Sequence, residues 1–527
     1  MEGIETIVGL MVVVVALVTV ARRTRIPYPA LLVVGGLVLS FIPGLPRLQI
    51  APDLVLLIFV PPLLEAAALF TSWRDFRSNL RPIALLAIGL IFTTIGFVAL
   101  AAHTLIPGFP WVAGFVLGAV VSPPDAVAVA AITENIRLPR RIVAILEGES
   151  LVNDSTALVS YRLAVAAAMT GVFSPAEATV SFLTTAVGGV LIGLAFGWIV
   201  VALLRRIHDT PVEITIVLIL AYAAYLPAEA LHVSGVLAAV TSGLYLGRYS
   251  PVIMSSQTRV QERAVWDIVI FLLNGLVFIL IGLHLPEVLS GLAVYSWGDL
   301  LWYGAVISAT VILVRLLWVW PATYLPRLLF RGIRERDPSP PWQPVFLIGW
   351  AGMRGVVSLA TALALPLTTE AGTGFPGRDL IIFLTFCVIL VTLVGQALSL
   401  GPIIRWLGLS VTGGPEEEEE ARARLHATQA AISHLEKWAG TTEMPPELIT
   451  DLRSHYEHQA HRAHARLHGA GDRQAEEREV AHQRLRRELV AIQRGVLIDL
   501  RNQGAINDEV LHRIQHELDL EELRLSS

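Results

Sequence analysis

The chain is poor in charge and almost without cysteine and lysine. Only 16% of its 527 residues are charged, against 54% hydrophobic. A water-soluble enzyme of this length carries far more polar surface, so that class is excluded. One cysteine, Cys387, excludes an intrachain disulfide. One lysine, Lys437, leaves nearly all positive charge to arginine. No Gly-x-x-x-x-Gly-Lys loop occurs, which argues against a pump driven by nucleotide hydrolysis. A cleavable signal peptide is not expected, since Met1–Glu5 is acidic and no small-residue cleavage site follows the first apolar run.

What is present in quantity is long apolar sequence. Hydropathy gives about thirteen spans and an all-α polytopic membrane protein. They lie near 4–20, 28–43, 53–70, 82–104, 111–132, 141–169, 177–204, 212–228, 234–248, 264–283, 299–324, 342–366 and 379–404. Arginines fall in alternate loops: Arg22, Arg23 and Arg25, then Arg74, Arg77 and Arg81, and so on to Arg327, Arg331, Arg334 and Arg336. The intervening loops carry only Arg47 and Arg378. The positive-inside rule then places the N-terminus outside and the tail in the cytoplasm. Three parts are expected: a membrane domain 1–410, an acidic linker 411–420 and a helical tail 421–527.

Three polar interruptions stand out in the apolar stretches. The first is Glu147-Gly-Glu-Ser-Leu-Val-Asn-Asp154. Carboxylates in an apolar helix are costly, and they mark ion or proton paths. The competing reading is a buried network that only joins helices. Helical spacing pairs Glu149 with Asn153 and Ser150 with Asp154. Oxygen ligands of this kind suit hard cations. The second is Ser122-Pro-Pro-Asp125, where two prolines break the fifth span. Ser122 reads as the N-cap of a half-helix with Asp125 against its positive end. Its alternative is a proline kink with a capping acid. The third is Gly352-Met-Arg-Gly355, in the twelfth span. Counted along helices, Asp154, Asp125 and Arg354 each lie roughly 18–21 Å from a membrane face, near midplane. Interrupted helices at matching places in two halves mark the site of inverted-repeat transporters. Spans one to six and eight to thirteen supply two inverted repeats of six, each with one broken helix.

These three motifs, with Leu272-Leu-Asn-Gly-Leu-Val-Phe278, resemble the sodium/proton exchanger family of monovalent cation:proton antiporters, the group with a paired Asn-Asp. The resemblance covers about residues 4–405. It implies a homodimer with a dimerisation domain and a mobile core. It implies that Asp154 binds the cation or the proton, with Asn153 beside it and with Asp125 and the crossed broken helices shaping the site. It implies that Glu149 pairs with Arg354. Two departures matter. The family often has Thr-Asp-Pro where this chain has Pro124-Asp125-Ala126, so Ser122 or Ser150 has to replace a hydroxyl. In the third span the acid is Glu65, one residue earlier than is usual in the family.

The expected activity is electroneutral Na+/H+ exchange across the plasma membrane by alternating access, serving intracellular pH and sodium balance. A cation and a proton compete for one carboxylate, and that competition is the coupling. Asp154 and Asp125 are the expected metal ligands, for a transported monovalent cation. The transported ions are Na+, Li+ or K+ and H+, with no cofactor and no nucleic-acid partner. K+/H+ exchange, a cation channel and a membrane sensor with a signalling tail remain alternatives. Arg315, Asp267 and Asn274 read as structural. In the tail, His455, His458, His461, His464 and His468 follow helical spacing. They read either as ordinary polar positions or as a pH-sensing face. Spacing alone also allows zinc.

Overall fold

The computed structural model describes residues 2–24, 28–42, 52–125, 138–171, 174–283, 291–292, 295–369, 372–409, 415–439, 446–467 and scattered positions from 485 to 518. The regular structure among the described residues is helical, apart from one isolated bridge between Thr368 and Gly374. The chain divides into two units, Met1–Val411 and Thr412–Ser527.

In chain order the first unit contains α1 (Glu2–Thr24), α2 (Tyr28–Ser40), α3 (Pro52–Phe70), α4 (Trp73–Ser78), α5 (Leu80–Leu105), α6 (Trp111–Val121), α7 (Arg140–Thr170), α8 (Pro175–Leu204) and α9 (Thr210–Ala230). There follow α10 (Gly235–Ile253), α11 (Ser256–Leu283), α12 (Trp297–Leu329), α13 (Arg331–Arg336), α14 (Trp342–Trp350), α15 (Val356–Leu363) and α16 (Arg378–Trp406). Each expected hydrophobic stretch has a helix in it. Among the described residues six helices are long and apolar enough to cross a membrane: Leu80–Leu105, Ala176–Leu204, Thr210–Ala230, Ser256–Leu280, Trp297–Leu329 and Arg378–Trp406.

Local chemistry sets the ends. Ser174, Asp209, Ser234 and Ser296 each accept a hydrogen bond from the backbone N–H three residues on, starting α8, α9, α10 and α12. Gly171 ends α7 at φ +73°, a left-handed conformation that glycine enters without penalty. The surface is inverted relative to a soluble protein. On α8, Val180, Leu183, Val187, Leu191 and Trp198 are all more than half exposed. Such a stripe belongs against lipid or another apolar surface, not against water. Toward the interior the helices meet through small residues. Gly189 and Gly193 of α8 face α10 so closely that a Cβ would strike the carbonyls of Ser234 and Ala238.

In the second unit α17 (Pro415–Ala439) and α18 (Pro446–Leu467) pack together, with Arg453 3.6 Å from Glu436. The acidic run placed in a linker by the sequence lies inside α17. There Glu418 and Glu420 meet Arg422 and Arg424 one turn on, at 3.9 and 2.5 Å. Carboxylates in a first turn also suit the helix dipole. His455, His458, His461 and His464 lie exposed on α18, whereas His468 falls outside the described residues.

Candidate ion site

The site is built where two helices stop in the middle of the membrane unit. α6 stops at Val121 because Pro123 and Pro124 have no N–H to continue the ladder. α14 stops at Trp350, before Gly352 and Gly355. The two breaks touch: Asp125 donates its backbone N–H to the Met353 carbonyl at 2.7 Å. Gly355 is required at this contact, since a Cβ there would run into the Asp125 carboxylate. α7 passes alongside. Asn153 donates from Nδ2 to the Pro124 carbonyl at 3.1 Å, and that bond fixes α7 to the first break.

A helix that stops in a buried place leaves carbonyls without donors and a partial negative charge. Two buried arginines answer this. Arg354 donates from Nε to the Val121 carbonyl at 2.9 Å, from Nη2 to that of Ser122 at 3.2 Å, and from Nη1 to that of Gly352. Arg315 of α12 does the same for α14, reaching the Ile348 carbonyl at 3.0 Å and that of Ala351 at 3.4 Å. Arg315 also grips Glu149 through both terminal nitrogens, one of them at 2.8 Å. Both side chains of this pair are 1% exposed.

Three expectations change here. Glu149 forms its ion pair with Arg315, 166 positions away, and no ion pair among the described residues joins it to Arg354, which it reaches only electrostatically. The reason is that Arg354 is occupied by the carbonyls that end α6. Ser122 is the C-cap that follows α6, still in helical conformation, and its hydroxyl donates back to the Ala119 carbonyl at 3.0 Å. It caps the end of that helix, not the start of another. The half-helix expected after Asp125 lies at 126–137, outside the described residues. Glu65 is fully buried, but its Oε2 accepts from Ser242 of α10 at 3.3 Å, and no hydrogen bond or ion pair among the described residues joins it to Asp154.

Asp154 itself is 6% exposed and lies on α7 one residue beyond Asn153. Among the described residues no arginine pairs with it. Asp125, half-buried, stands close enough for the two carboxylates to act on each other electrostatically. Ser150 is half-buried one turn before Asp154. The Asn153 Oδ1 is buried with no partner among the described residues, as is the Ser155 hydroxyl. Two carboxylates and orphan oxygens at a helix crossing form an oxygen-lined place for a hard cation or a proton.

Sequence reasoning missed several contributors. Thr392 accepts the Arg354 backbone N–H at 3.1 Å, and it sits in a π-type turn of α16, Val391–Gln396. Such turns occur often at functional sites. Gln396 is buried with both amide ends unpartnered among the described residues, as is Asn274, which reads as structural from the sequence. The only signal available was a polar residue in an apolar run. Asp267 is exposed.

An all-helical unit with a lipid-facing apolar surface and buried acids where interrupted helices cross is the architecture of a secondary ion transporter. The chain belongs to the sodium/hydrogen exchanger family, whose transmembrane model matches residues 9–406. It is similar to an uncharacterized Na+/H+ exchanger of Mycobacterium tuberculosis, 36% identical over 99% of this chain and 96% of that protein. It is similar to a sodium, potassium, lithium and rubidium/H+ antiporter of Bacillus subtilis, 34% identical over 74% of this chain and 59% of that one. Its fold resembles that of the sodium proton antiporter MjNhaP1 from Methanocaldococcus jannaschii, with a TM-score of 0.56 at 20% identity. That likeness covers 77% of this chain and all of the other. The protein is thus a multi-pass membrane cation:proton antiporter.

Proposed function

We propose that the protein exchanges Na+ for H+ one for one across the plasma membrane, with Asp154 as the carboxylate that changes cargo. The observation that carries this is the unequal treatment of two neighbouring acids on α7. Glu149 is neutralised by Arg315, while Asp154 has no arginine among the described residues. Only an acid free of permanent compensation can trade a proton for a cation. Asp125 beside it raises the cost of leaving both groups charged and empty, so the pair holds one cargo at a time. Asn153 and Ser150 supply further oxygens, and Glu65 lies off this path against Ser242. One proton traded for one monovalent cation moves no net charge.

In this reading about thirteen spans form two inverted repeats, the N-terminus lies outside and the tail lies in the cytoplasm. Two copies form a homodimer. The two arginine-capped helix ends support the repeat, since each half then contains one interrupted helix with its carbonyls satisfied in the same manner. Li+ and K+ are the competing cations, because oxygen ligands serve all three. The name of the Bacillus subtilis relative favours testing that breadth.

The test uses purified protein in liposomes with a pH-sensitive dye inside. A sodium gradient alone should move protons, and an imposed voltage should leave the rate unchanged. Proton movement that tracks voltage would point to a channel or an electrogenic exchanger and reject the one-for-one scheme. The same assay with Li+ and K+ reads selectivity.

A further inference from the structure

A second site lies away from the helix crossing, on the arginine-bearing side of the membrane unit. We propose that the pocket between the end of α12 and the short helix α13 binds the headgroup phosphate of an anionic phospholipid. The cavity is open and about 580 Å³ in volume. It is lined both by Arg81, Arg331 and Arg336 and by Leu329 and Phe330.

Charge is the first part of the argument. Among the described residues Asp337 is the only acid lining the pocket, and arginines already claim it. Arg81, Arg141 and Arg327 reach its carboxylate at 2.6, 2.8 and 2.7 Å. Glu335 engages Arg331 at 2.8 Å, but both partners are more than 60% exposed, so this pair competes weakly with a phosphate. Arg336 has no ion pair among the described residues. The pocket therefore keeps a net positive character and offers guanidinium forks, the groups that match phosphate oxygens best.

Apolar exposure is the second part. Leu325, Leu328, Leu329 and Phe330 are 48, 75, 64 and 60% exposed at the end of α12. Exposed side chains of this size at the end of a membrane span belong against acyl chains. A free phosphate makes no use of Leu329 and Phe330. A phospholipid uses both linings at once, with the phosphate on the arginines and the first part of its chains on the leucines. Basic pockets at the membrane boundary hold anionic headgroups in this way.

The experiment titrates the detergent-purified full chain with dioleoyl phosphatidylglycerol, with dioleoyl phosphatidylcholine, and with inorganic phosphate, following the unfolding temperature. Phosphatidylglycerol should raise that temperature saturably, and the other two should not. The double variant Arg331→Gln/Arg336→Gln should need about thirty-fold more lipid, at about five-fold per arginine near an anionic headgroup. Phe330→Gln keeps the arginines and should weaken the lipid effect as well. Arg205→Gln/Arg206→Gln, on another loop of the same side, should leave it unchanged. The proposal is overturned if the Arg331/Arg336 variant titrates like wild type. It is also overturned if the Arg205/Arg206 variant loses as much, since the effect would then be general surface charge. Equal stabilisation by inorganic phosphate would assign the pocket to a soluble anion instead.

Discussion

At the scale of single residues, this site depends on which acid owns an arginine. Replacing Asp154 by Asn keeps size and hydrogen-bonding shape but removes the titrating group. Exchange should fall to background while the protein still purifies as a folded species. Full dye response from a well-expressed Asp154→Asn protein would reject the carrier role. Glu149 should behave in the opposite way. Either Glu149→Gln or Arg315→Met leaves a buried charge alone, at about 3–5 kcal/mol. The double variant should cost clearly less than the sum of the two, by 1 kcal/mol or more on the usual scale of coupled buried neighbours. Simple additivity in thermal unfolding would contradict the observed pair. The same cycle between Glu149 and Arg354 should show weaker coupling, because Arg354 donates to helix-end carbonyls. Asp337 permits a test at the arginine-bearing loops. Burial works to raise its pKa, but Arg141, Arg327 and Arg81 outweigh it and hold the carboxyl below the usual carboxylate range. A depressed folded pKa stabilises above the unfolded value, about 3.9, and that contribution is lost as pH falls through the folded value. Asp337→Asn should therefore lower the unfolding temperature at pH 7, and the gap from wild type should close only below about pH 4.

At the scale of elements, the breaks matter more than the helices. α6 and α14 each stop short, and their carbonyls are finished by arginines from elsewhere in the chain. The contact between the breaks leaves no room for a side chain at position 355. Gly355→Ala should displace the Asp125 carboxylate and cut exchange at least about tenfold, since displacements on the order of 1 Å at a reacting group have effects of this size. The measurement is the initial rate of dye response at matched protein levels. A wild-type rate would show that Asp125 can move freely and has no part in the site. The sequence located both breaks, because paired prolines and paired glycines in apolar runs have a direct backbone meaning. It did not show what satisfies the broken ends. Four orphan carbonyls per helix end are a known debt, but the donor is chosen by proximity in space, and Arg315 is 33 residues from Ile348.

At the scale of the whole molecule, the tail is expected to tune the exchanger, not to form its site. His455, His458, His461 and His464 are exposed on one helix. Imidazoles that take up protons would add charges to that face. Such charges shift transport only if they interact differently with the inward-open and outward-open states. Truncation after Gly414 should keep exchange and move its pH midpoint. Gln at all five histidines, His468 included, should reproduce much of that move. If neither change moves it, the histidines are ordinary surface.

The sequence by itself determined the membrane unit, the places where helices break and the family, because hydropathy, proline and glycine act locally along the chain. It also singled out Asp154 and Asn153 from the rest of the apolar stretch. Only the tertiary structure decided the pairing of charges. Arg354 and Arg315 look alike as intramembrane arginines, and the family resemblance favoured the first. The structure shows Glu149 with the second, because Arg354 emerges at the break itself, within reach of the Val121 and Ser122 carbonyls. A buried guanidinium goes to whatever negative charge is nearest once the helices have packed, and sequence separation does not measure that distance.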